Sequence, residues 1–473
     1  MTLHVPALIV GAGISGLVCA HALCKAGVDA LVVEASGRAG GAIHSQRRDG
    51  YLLELGPQSF SGTAPLLALC SELGIASEIV QAPPNAPRYV LVDGKLKQVP
   101  LSPPAFLTSD LVSARTKWTI ARDAFGKSTP REQDESVGAF VRRKFSAQLL
   151  DRLVGPFVSG VYAGDPERLS LRSALPMLHD AEKQKGSVIR GLMSKSGNEP
   201  RQRPTLLSFR EGTEALPRAL TSQLSSALRL QANVTRIRSS TGTLACAPVN
   251  PAQHDPTQDA ARASFQVTIQ TRGQEETILT DNLVIATPTN VAGSLFRDVN
   301  PAMEPLLADI EYAPVAVVSL GYPRAAVGHP LTGFGFLIPR SAGLRTLGTV
   351  WNSSLFPSHA PDGHVLLTSF VGGATDPQAA TLPPEELARL VHREIAPLLA
   401  IREAPTFSNV TIYPRALPQY NLGHTERLVA IEDQRRKFPN LWLAGNYLRG
   451  PSIGACVEQS LNVANQMLSR GKP

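Results

Sequence analysis

Leu8-Ile9-Val10-Gly11-Ala12-Gly13-Ile14-Ser15-Gly16, answered by Ala30-Leu31-Val32-Val33-Glu34, is the stretch on which the fold turns. Leu8, Ile9 and Val10 predict a short buried strand, residues 14–26 a helix, and residues 30–33 a second strand with Glu34 at its carboxyl end. In such a βαβ unit the three glycines have separate tasks: a tight turn, close backbone approach to a pyrophosphate, and close helix–strand packing. The helix amino terminus, at Ile14 and Ser15, turns free N–H groups and its positive end toward the phosphates. Glu34 is placed to accept hydrogen bonds from a ribose. A Gly-x-Gly-x-x-Gly alone is weak; strand, helix, strand and terminal acid together are specific.

Glu34-Ala35-Ser36-Gly37-Arg38-Ala39-Gly40-Gly41 continues directly off the second strand. An arginine followed by paired glycines can contact phosphate and let the backbone approach a flat ring, which points to FAD rather than NAD. The alternative is an ordinary Gly-rich loop with a solvated arginine. Gly56-Pro57 reads as a turn beside the flavin. Near the other end, Leu441-Trp442-Leu443-Ala444-Gly445-Asn446 reads as a strand followed by a glycine, and Pro451-Ser452-Ile453-Gly454 leads into a helix over 455–468. Gly445 lets a ribityl–phosphate chain pass. A helix beginning at about Gly454 aims its positive end at the pyrimidine side of a flavin, where negative charge gathers on reduction.

The chain has 473 residues, a formal net charge of +7, 43% hydrophobic and 18% charged residues, so it is a folded protein of several domains' length. Its basic balance is compatible with nucleic acid, anionic lipid or an anionic substrate. No nucleic-acid-binding motif is present, which favours lipid or a carboxylate. No apolar run reaches the length of a membrane span. The apolar stretch over 9–24 lacks a positive start and is already used by the dinucleotide motif, so neither export nor a transit segment is expected. Cys19, Cys24, Cys70, Cys246 and Cys456 have no metal-ligand spacing, and their odd number and scatter fit a reducing compartment. No metal site is expected.

The Pro-rich stretch 82–87 marks a crossing between domains. Residues 106–191 are rich in helix formers. Within them Phe140, Val141, Phe145, Leu149, Leu150 and Leu153 recur at helical spacing among Arg142, Arg143, Lys144 and Arg152. This pattern reads either as an amphipathic surface meeting a membrane or as a core-facing helix with a solvated basic face. Residues 198–204 read as an exposed loop and 239–263 as a flexible insertion between strands. Strands are expected at 228–237, 265–269 and 282–288 in the first sheet, and at 315–322, 345–351 and 364–371 in a second.

The opening motif resembles the amine oxidase and phytoene desaturase superfamily of FAD enzymes. Leu153-Val154-Gly155-Pro156-Phe157-Val158-Ser159-Gly160-Val161-Tyr162-Ala163-Gly164-Asp165-Pro166 resembles more narrowly the oxygen-dependent protoporphyrinogen oxidases of haem and chlorophyll synthesis, of the plant and proteobacterial type. Glu54-Leu55-Gly56-Pro57, Thr346-Leu347-Gly348-Thr349-Val350, Ser354-Leu355-Phe356-Pro357 and Gly445-Asn446-Tyr447 resemble them too, so the likeness spans nearly the whole chain. No aromatic cage for an amine accompanies the last motif.

The resemblance implies an α/β + α fold: a Rossmann-like FAD-binding domain of the amine oxidase/p-hydroxybenzoate hydroxylase type (1–87, 204–297, 425–473), a mixed-sheet substrate domain (88–105, 298–424) and a helical membrane-associating domain (106–203). It implies non-covalent FAD, held by Gly11, Gly13, Ile14, Ser15, Gly16, Glu34, Ala35, Arg38, Gly40, Gly41, Gly56, Pro57, Val234, Gly445, Asn446, Ser452, Ile453 and Gly454. Val234 belongs to the strand whose backbone meets adenine. The implied substrate is protoporphyrinogen IX, oxidised by molecular oxygen to protoporphyrin IX with hydrogen peroxide as co-product. Arg88 would pair a propionate; Gly160, Phe334, Leu337, Val350 and Phe370 would enclose the macrocycle. No general base is assigned. Oxidation of coproporphyrinogen III to coproporphyrin III is the alternative, and a carotenoid or amine oxidoreductase is a more distant one. The expected location is cytoplasmic, attached peripherally to the inner face of the cell membrane; dimerisation is left open.

Overall fold

The computed structural model describes residues 2–100, 102–126, 131, 133–194, 206–239 and 264–470. The expected loop at 198–204, and all but the first residue of the expected insertion at 239–263, lie outside them.

Thr2–Val10, Ile14–Lys25 and Ala30–Val33 form the expected βαβ unit. Ala7 to Ile9 are fully buried and Ala30–Val33 is buried throughout, the continuous apolar signature of a parallel sheet covered on both faces. Leu228–Arg229, Ala30–Val33, Thr2–Val10 and Gln274–Ile285 lie side by side in parallel. The first part of Gln274–Ile285 pairs antiparallel with Phe265–Thr271, and its last residues run parallel to Leu441–Leu443, so one strand edge serves two neighbours. The single strand expected over 228–237 is instead two. Gln231, at φ +55°, turns the chain between Leu228–Arg229 and Ala232–Ser239, and the second piece pairs antiparallel with Phe265–Thr271. A left-handed glutamine is uncommon and marks a real corner. One face of the sheet packs on Ile14–Lys25 and Ile453–Arg470, the other on Thr289–Phe296, Met303–Ala308 and His424–Arg435.

The second sheet runs Phe407–Pro418, Tyr312–Pro323, His364–Gly372, Thr346–Trp351, Gly335–Leu337, Arg88–Val92, Lys95–Gln98. The Pro-rich stretch 82–87 runs from Ile79–Gln81, which pairs with Leu206–Phe209 in a small three-stranded sheet, into Arg88–Val92 of the second sheet. Pro384–Leu399 covers one face, burying Leu387, Leu390, Val391, Ile395 and Leu399 at helical spacing.

The described residues of 106–191 fold mainly as helices, and their basic–apolar pattern matches the core-facing reading in its apolar half but not in its basic half. Phe140, Val141, Leu149 and Leu150 are buried in a core with Val158 and Tyr162, so they do not form a membrane face. The basic residues between them are paired, Lys144 in burial and Arg142 at the surface. Lys144 lies 2.8 Å from Asp123 and 3.0 Å from Glu182, and its side chain is 6% exposed against 1% for Glu182. Arg143 joins Glu135 and Glu182, and Arg142 pairs with Glu167. Buried charges persist only when paired in this way. The most exposed apolar residues lie elsewhere: Leu107, Trp118, Phe125 and Met193 stand 64%, 68%, 87% and 68% exposed. Trp118 and Phe125 are seven residues apart on Ala114–Phe125 and share a face with the exposed Arg115 and Arg122.

Gly155 N donates to Leu150 O, a widened turn just before Pro156, which has no N–H to give. The following helix, Gly155–Tyr162, lies against the second sheet at Gly160: a Cβ there would come 2.7 Å from Leu337 Cδ2. No helix among the described residues is long and apolar enough to cross a membrane.

Candidate functional site

The first motif makes a cradle whose tolerances are visible glycine by glycine. Gly11 has φ +103°, and a Cβ on Gly16 would fall 1.9 Å from Gly11 O, so helix and turn approach as closely as backbone allows. A Cβ on Gly13 would meet nothing within 4 Å, leaving an open space at the helix amino end. Gly40 N donates to Ala12 O at 2.8 Å, and a Cβ on Gly41 would stand 3.2 Å from Gly13 Cα. The Arg38–Gly41 loop is therefore laid across the turn. Arg38 is not a solvated arginine: its guanidinium donates to the carbonyls of Ala39, Ile43 and Gly41 and fixes the loop. Glu34 accepts from Ala12 N at 2.8 Å and from Ser36 N at 2.9 Å, holding the turn while each oxygen keeps a lone pair for a ribose. Ala35 beside it is exposed. Ala232 N donates to Glu34 O, so the strand carrying Val234 starts against the same loop.

The second motif meets the first. Ile453–Arg470 starts one residue before the expected Gly454, with Ser452 Oγ accepting from Ala455 N at 3.2 Å. The Cys456 thiol is hydrogen-bonded to Ser15, and burial pushes it up to about 11. The amino ends of the two helices thus adjoin. Gly445 has φ +153°, and Asn446 O accepts from Tyr420 Oη. A Cβ on Gly56 would fall 2.0 Å from Ala42 O, which packs the Gly56-Pro57 turn against the paired-glycine loop.

The buried hydroxyls of Thr63 and Thr287 have no hydrogen-bond partner. Thr63 Oγ1 lies 3.1 Å from the position of a Cβ on Gly454, and the Thr287 methyl 3.3 Å from one on Gly11. Buried polar atoms are ordinarily paired. Two orphans at the glycines of a nucleotide cradle fit a large polar ligand seated there, and these residues fit FAD. Neither threonine was anticipated from the sequence. Thr287 could have been: it follows the carboxyl end of a parallel strand, where open α/β sheets bind ligands. Thr63 carries no such local sign.

Glu54 lies under this site, 1% exposed, accepting from Ser45 Oγ, Thr213 Oγ1 and Thr213 N at 2.6–2.8 Å. Burial pushes its carboxyl up to about 7, against the pull of these donors. A carboxyl raised on folding binds its proton more tightly in the folded state. It therefore favours folding below its unfolded value, and that contribution is lost as pH rises through about 7. Glu54→Gln removes this dependence. Measured by denaturant unfolding, the variant should gain on the parent between pH 5 and 8, by at most about 1.4 kcal/mol per pH unit. A difference independent of pH would contradict the burial argument.

On the second sheet, Arg88 lies beside Gly335 in a parallel pair, and its guanidinium stands 5.5 Å from the Phe334 ring centroid. No acidic side chain among the described residues pairs with it, and desolvation lowers its pKa. Phe334, Val350 and Phe370 share one apolar cluster beside it. Phe334 and Phe370 are partly exposed, and Arg88 beside them is exposed. Leu337 belongs to the neighbouring cluster with Val90 and Leu153, and reaches the site's edge through its contact with Gly160. A polar link unforeseen in the sequence, Asn352 Nδ2 to Gln58 Oε1 at 2.7 Å, ties this sheet to the Gly56-Pro57 turn.

Comparison with known proteins gives the family and the fold. The profile of the flavin containing amine oxidoreductases matches residues 14–468. A chloroplastic protoporphyrinogen oxidase of Oryza sativa subsp. japonica is 36% identical over 488 residues, covering 97% of this chain and 87% of its own. A coproporphyrinogen III oxidase of Staphylococcus aureus (strain NCTC 8325 / PS 47) is 27% identical, with 98% of each chain covered. A crystal structure from Exiguobacterium sp. 255-15 superposes with a TM-score of 0.80 over 99% of both chains at 22% identity, a likeness of fold.

Proposed function

The chain belongs to the flavin-containing amine oxidoreductase family and is an FAD-dependent oxidase, and on that premise we propose that it oxidises protoporphyrinogen IX to protoporphyrin IX. The observation that carries this reading is Arg88, a cation with no acidic partner among the described residues, standing over Phe334 beside Val350 and Phe370. A largely apolar macrocycle with carboxylate arms asks for apolar rings beside a cation. The guanidinium offers one propionate a planar, two-pronged donor. Phe334, Val350 and Phe370 keep water from the ring, with Leu337 and Gly160 at the edge. Coproporphyrinogen III carries two more propionates and would call for further cations, while among the described residues Arg88 is the cation that stands over a ring of this apolar set.

Gly13 and the adjoining N–H groups of Ile14 and Ser15 would hold the pyrophosphate, Glu34 a ribose, and Val234 would lie beside the adenine. Gly445, Asn446, Ser452 and Gly454 would take the ribityl and ring end, where the amino terminus of Ile453–Arg470 favours negative charge. FAD, when bound, supplies a two-electron acceptor that molecular oxygen regenerates with release of hydrogen peroxide. The protein's part is to hold the macrocycle with a meso C–H toward the cofactor; the pyrrole nitrogens carry labile protons of their own, and no base is assigned.

The same reading divides the chain into a cofactor unit, a substrate unit and a helical unit meeting a membrane. Its support is the exposed Leu107, Trp118, Phe125 and Met193 with Arg115 and Arg122, together with the net charge of +7 and a poorly soluble substrate. The holoenzyme should co-sediment with vesicles containing phosphatidylglycerol, and Trp118→Asp with Phe125→Asp should weaken that binding at least about tenfold. No sedimentation of the parent protein would remove the membrane from the reading.

A further inference from the structure

Gln58 and Asn352 form a chain of amide hydrogen bonds whose polarity is set by the backbone. Gln58 Nε2 donates to the carbonyls of Glu54 and Gly56, both at 2.9 Å. Those two acceptors can be met only by the amide nitrogen, so Gln58 Oε1 faces Asn352. Asn352 must then offer its own nitrogen, and does, at 2.7 Å. Its Oδ1 is left with no partner, although Asn352 is 1% exposed and Gln58 8%. An unmet buried acceptor of this kind calls for an N–H or O–H donor.

Its neighbours indicate which donor. Asn352 stands two residues after Val350. The residue between them, Trp351, donates its backbone N–H to Phe334 O at 2.9 Å. Asn352 opens the short helix Asn352–Leu355 directly after Thr346–Trp351, so the amide sits between Val350 and Leu355 of the apolar cluster that also holds Phe334 and Phe370. That cluster is apolar, with Arg88 over the Phe334 ring, and the proposed macrocycle presents pyrrole N–H groups at its centre.

We propose that Asn352 Oδ1 accepts a hydrogen bond from a pyrrole N–H of the bound porphyrinogen, with Gln58 as the positioning residue that fixes the amide's direction. This rests on the protoporphyrinogen reading above. Arg88 would then hold the rim of the macrocycle and Asn352 its centre, two points that set which meso carbon faces the cofactor.

The test is anaerobic stopped-flow bleaching of the FAD-loaded enzyme over a range of protoporphyrinogen IX concentrations, with the parent, Asn352→Leu and Asn352→Ser. Asn352→Leu should raise the half-saturating concentration about tenfold, the loss of one neutral hydrogen bond. Asn352→Ser, which keeps a shorter acceptor, should fall between, and it carries the test if the leucine variant fails to fold. FAD content and the visible flavin spectrum should match the parent in both. Unchanged saturation in the variants overturns the proposal, and so does a shifted flavin spectrum at unchanged saturation, which assigns the donor to the cofactor. A parent enzyme that no porphyrinogen bleaches removes the underlying reading, and this inference with it.

Discussion

Gly13→Ala should yield a protein that folds and unfolds like its parent but purifies without its yellow colour. Gly13 has φ −68°, a value alanine adopts freely, and an added Cβ meets nothing within 4 Å of protein. The space it enters is the one proposed here for the pyrophosphate. FAD affinity should fall about 100-fold or more, ~2.8 kcal/mol, while the melting temperature of the FAD-free protein stays within a degree or two. Gly16→Ala separates the two roles from the other side. Its Cβ would lie 1.9 Å from Gly11 O, a backbone atom that cannot give way without moving the turn. That variant should lose both cofactor and stability, by about 3 kcal/mol or more. Titration of the apoprotein with FAD and thermal unfolding distinguish them. Equal FAD affinity in Gly13→Ala and parent would place the pyrophosphate elsewhere.

Arg88→Ala should lower kcat/KM for the porphyrinogen by about 100- to 1000-fold, mostly through KM, because a bidentate charge-assisted contact to a carboxylate is lost. Arg88→Lys should recover only part of it, since an ammonium offers a point charge in place of a planar fork. Neither change should cost much stability, because Arg88 has no ion pair among the described residues to break. The steady-state parameters of the three proteins, with their melting temperatures, check this. A loss of stability without a rise in KM would make Arg88 a structural residue standing on Phe334.

What the sequence disclosed and what it withheld divide along a physical line. The cradle was legible because Gly11, Gly13, Gly16 and Glu34 are adjacent in the chain and each type has few alternatives at its position. The parallel strands were legible because burial on both faces makes them continuously apolar. The 140–153 pattern was misleading in one half, because sequence cannot show that Lys144 and Arg143 have acids waiting at Asp123, Glu135 and Glu182. A basic stripe and a buried ion network look alike until the partners are placed. The break at Gln231 depends on one left-handed residue that carries no glycine to announce it. Thr63, Thr287 and the Gln58–Asn352 link stayed hidden for a related reason: their roles depend on neighbours distant in the chain. Arg88 and Phe334 were reached only through a resemblance, and the structure then supplied the physical content, one cation over one ring.

The most direct test of the whole account is anaerobic mixing of the FAD-loaded protein with protoporphyrinogen IX and, separately, coproporphyrinogen III, following flavin bleaching and then porphyrin fluorescence when oxygen is admitted. The account predicts rapid bleaching by protoporphyrinogen IX, slower bleaching by coproporphyrinogen III, and protoporphyrin fluorescence with hydrogen peroxide on aeration. Faster bleaching by coproporphyrinogen III, or none by either, would contradict it.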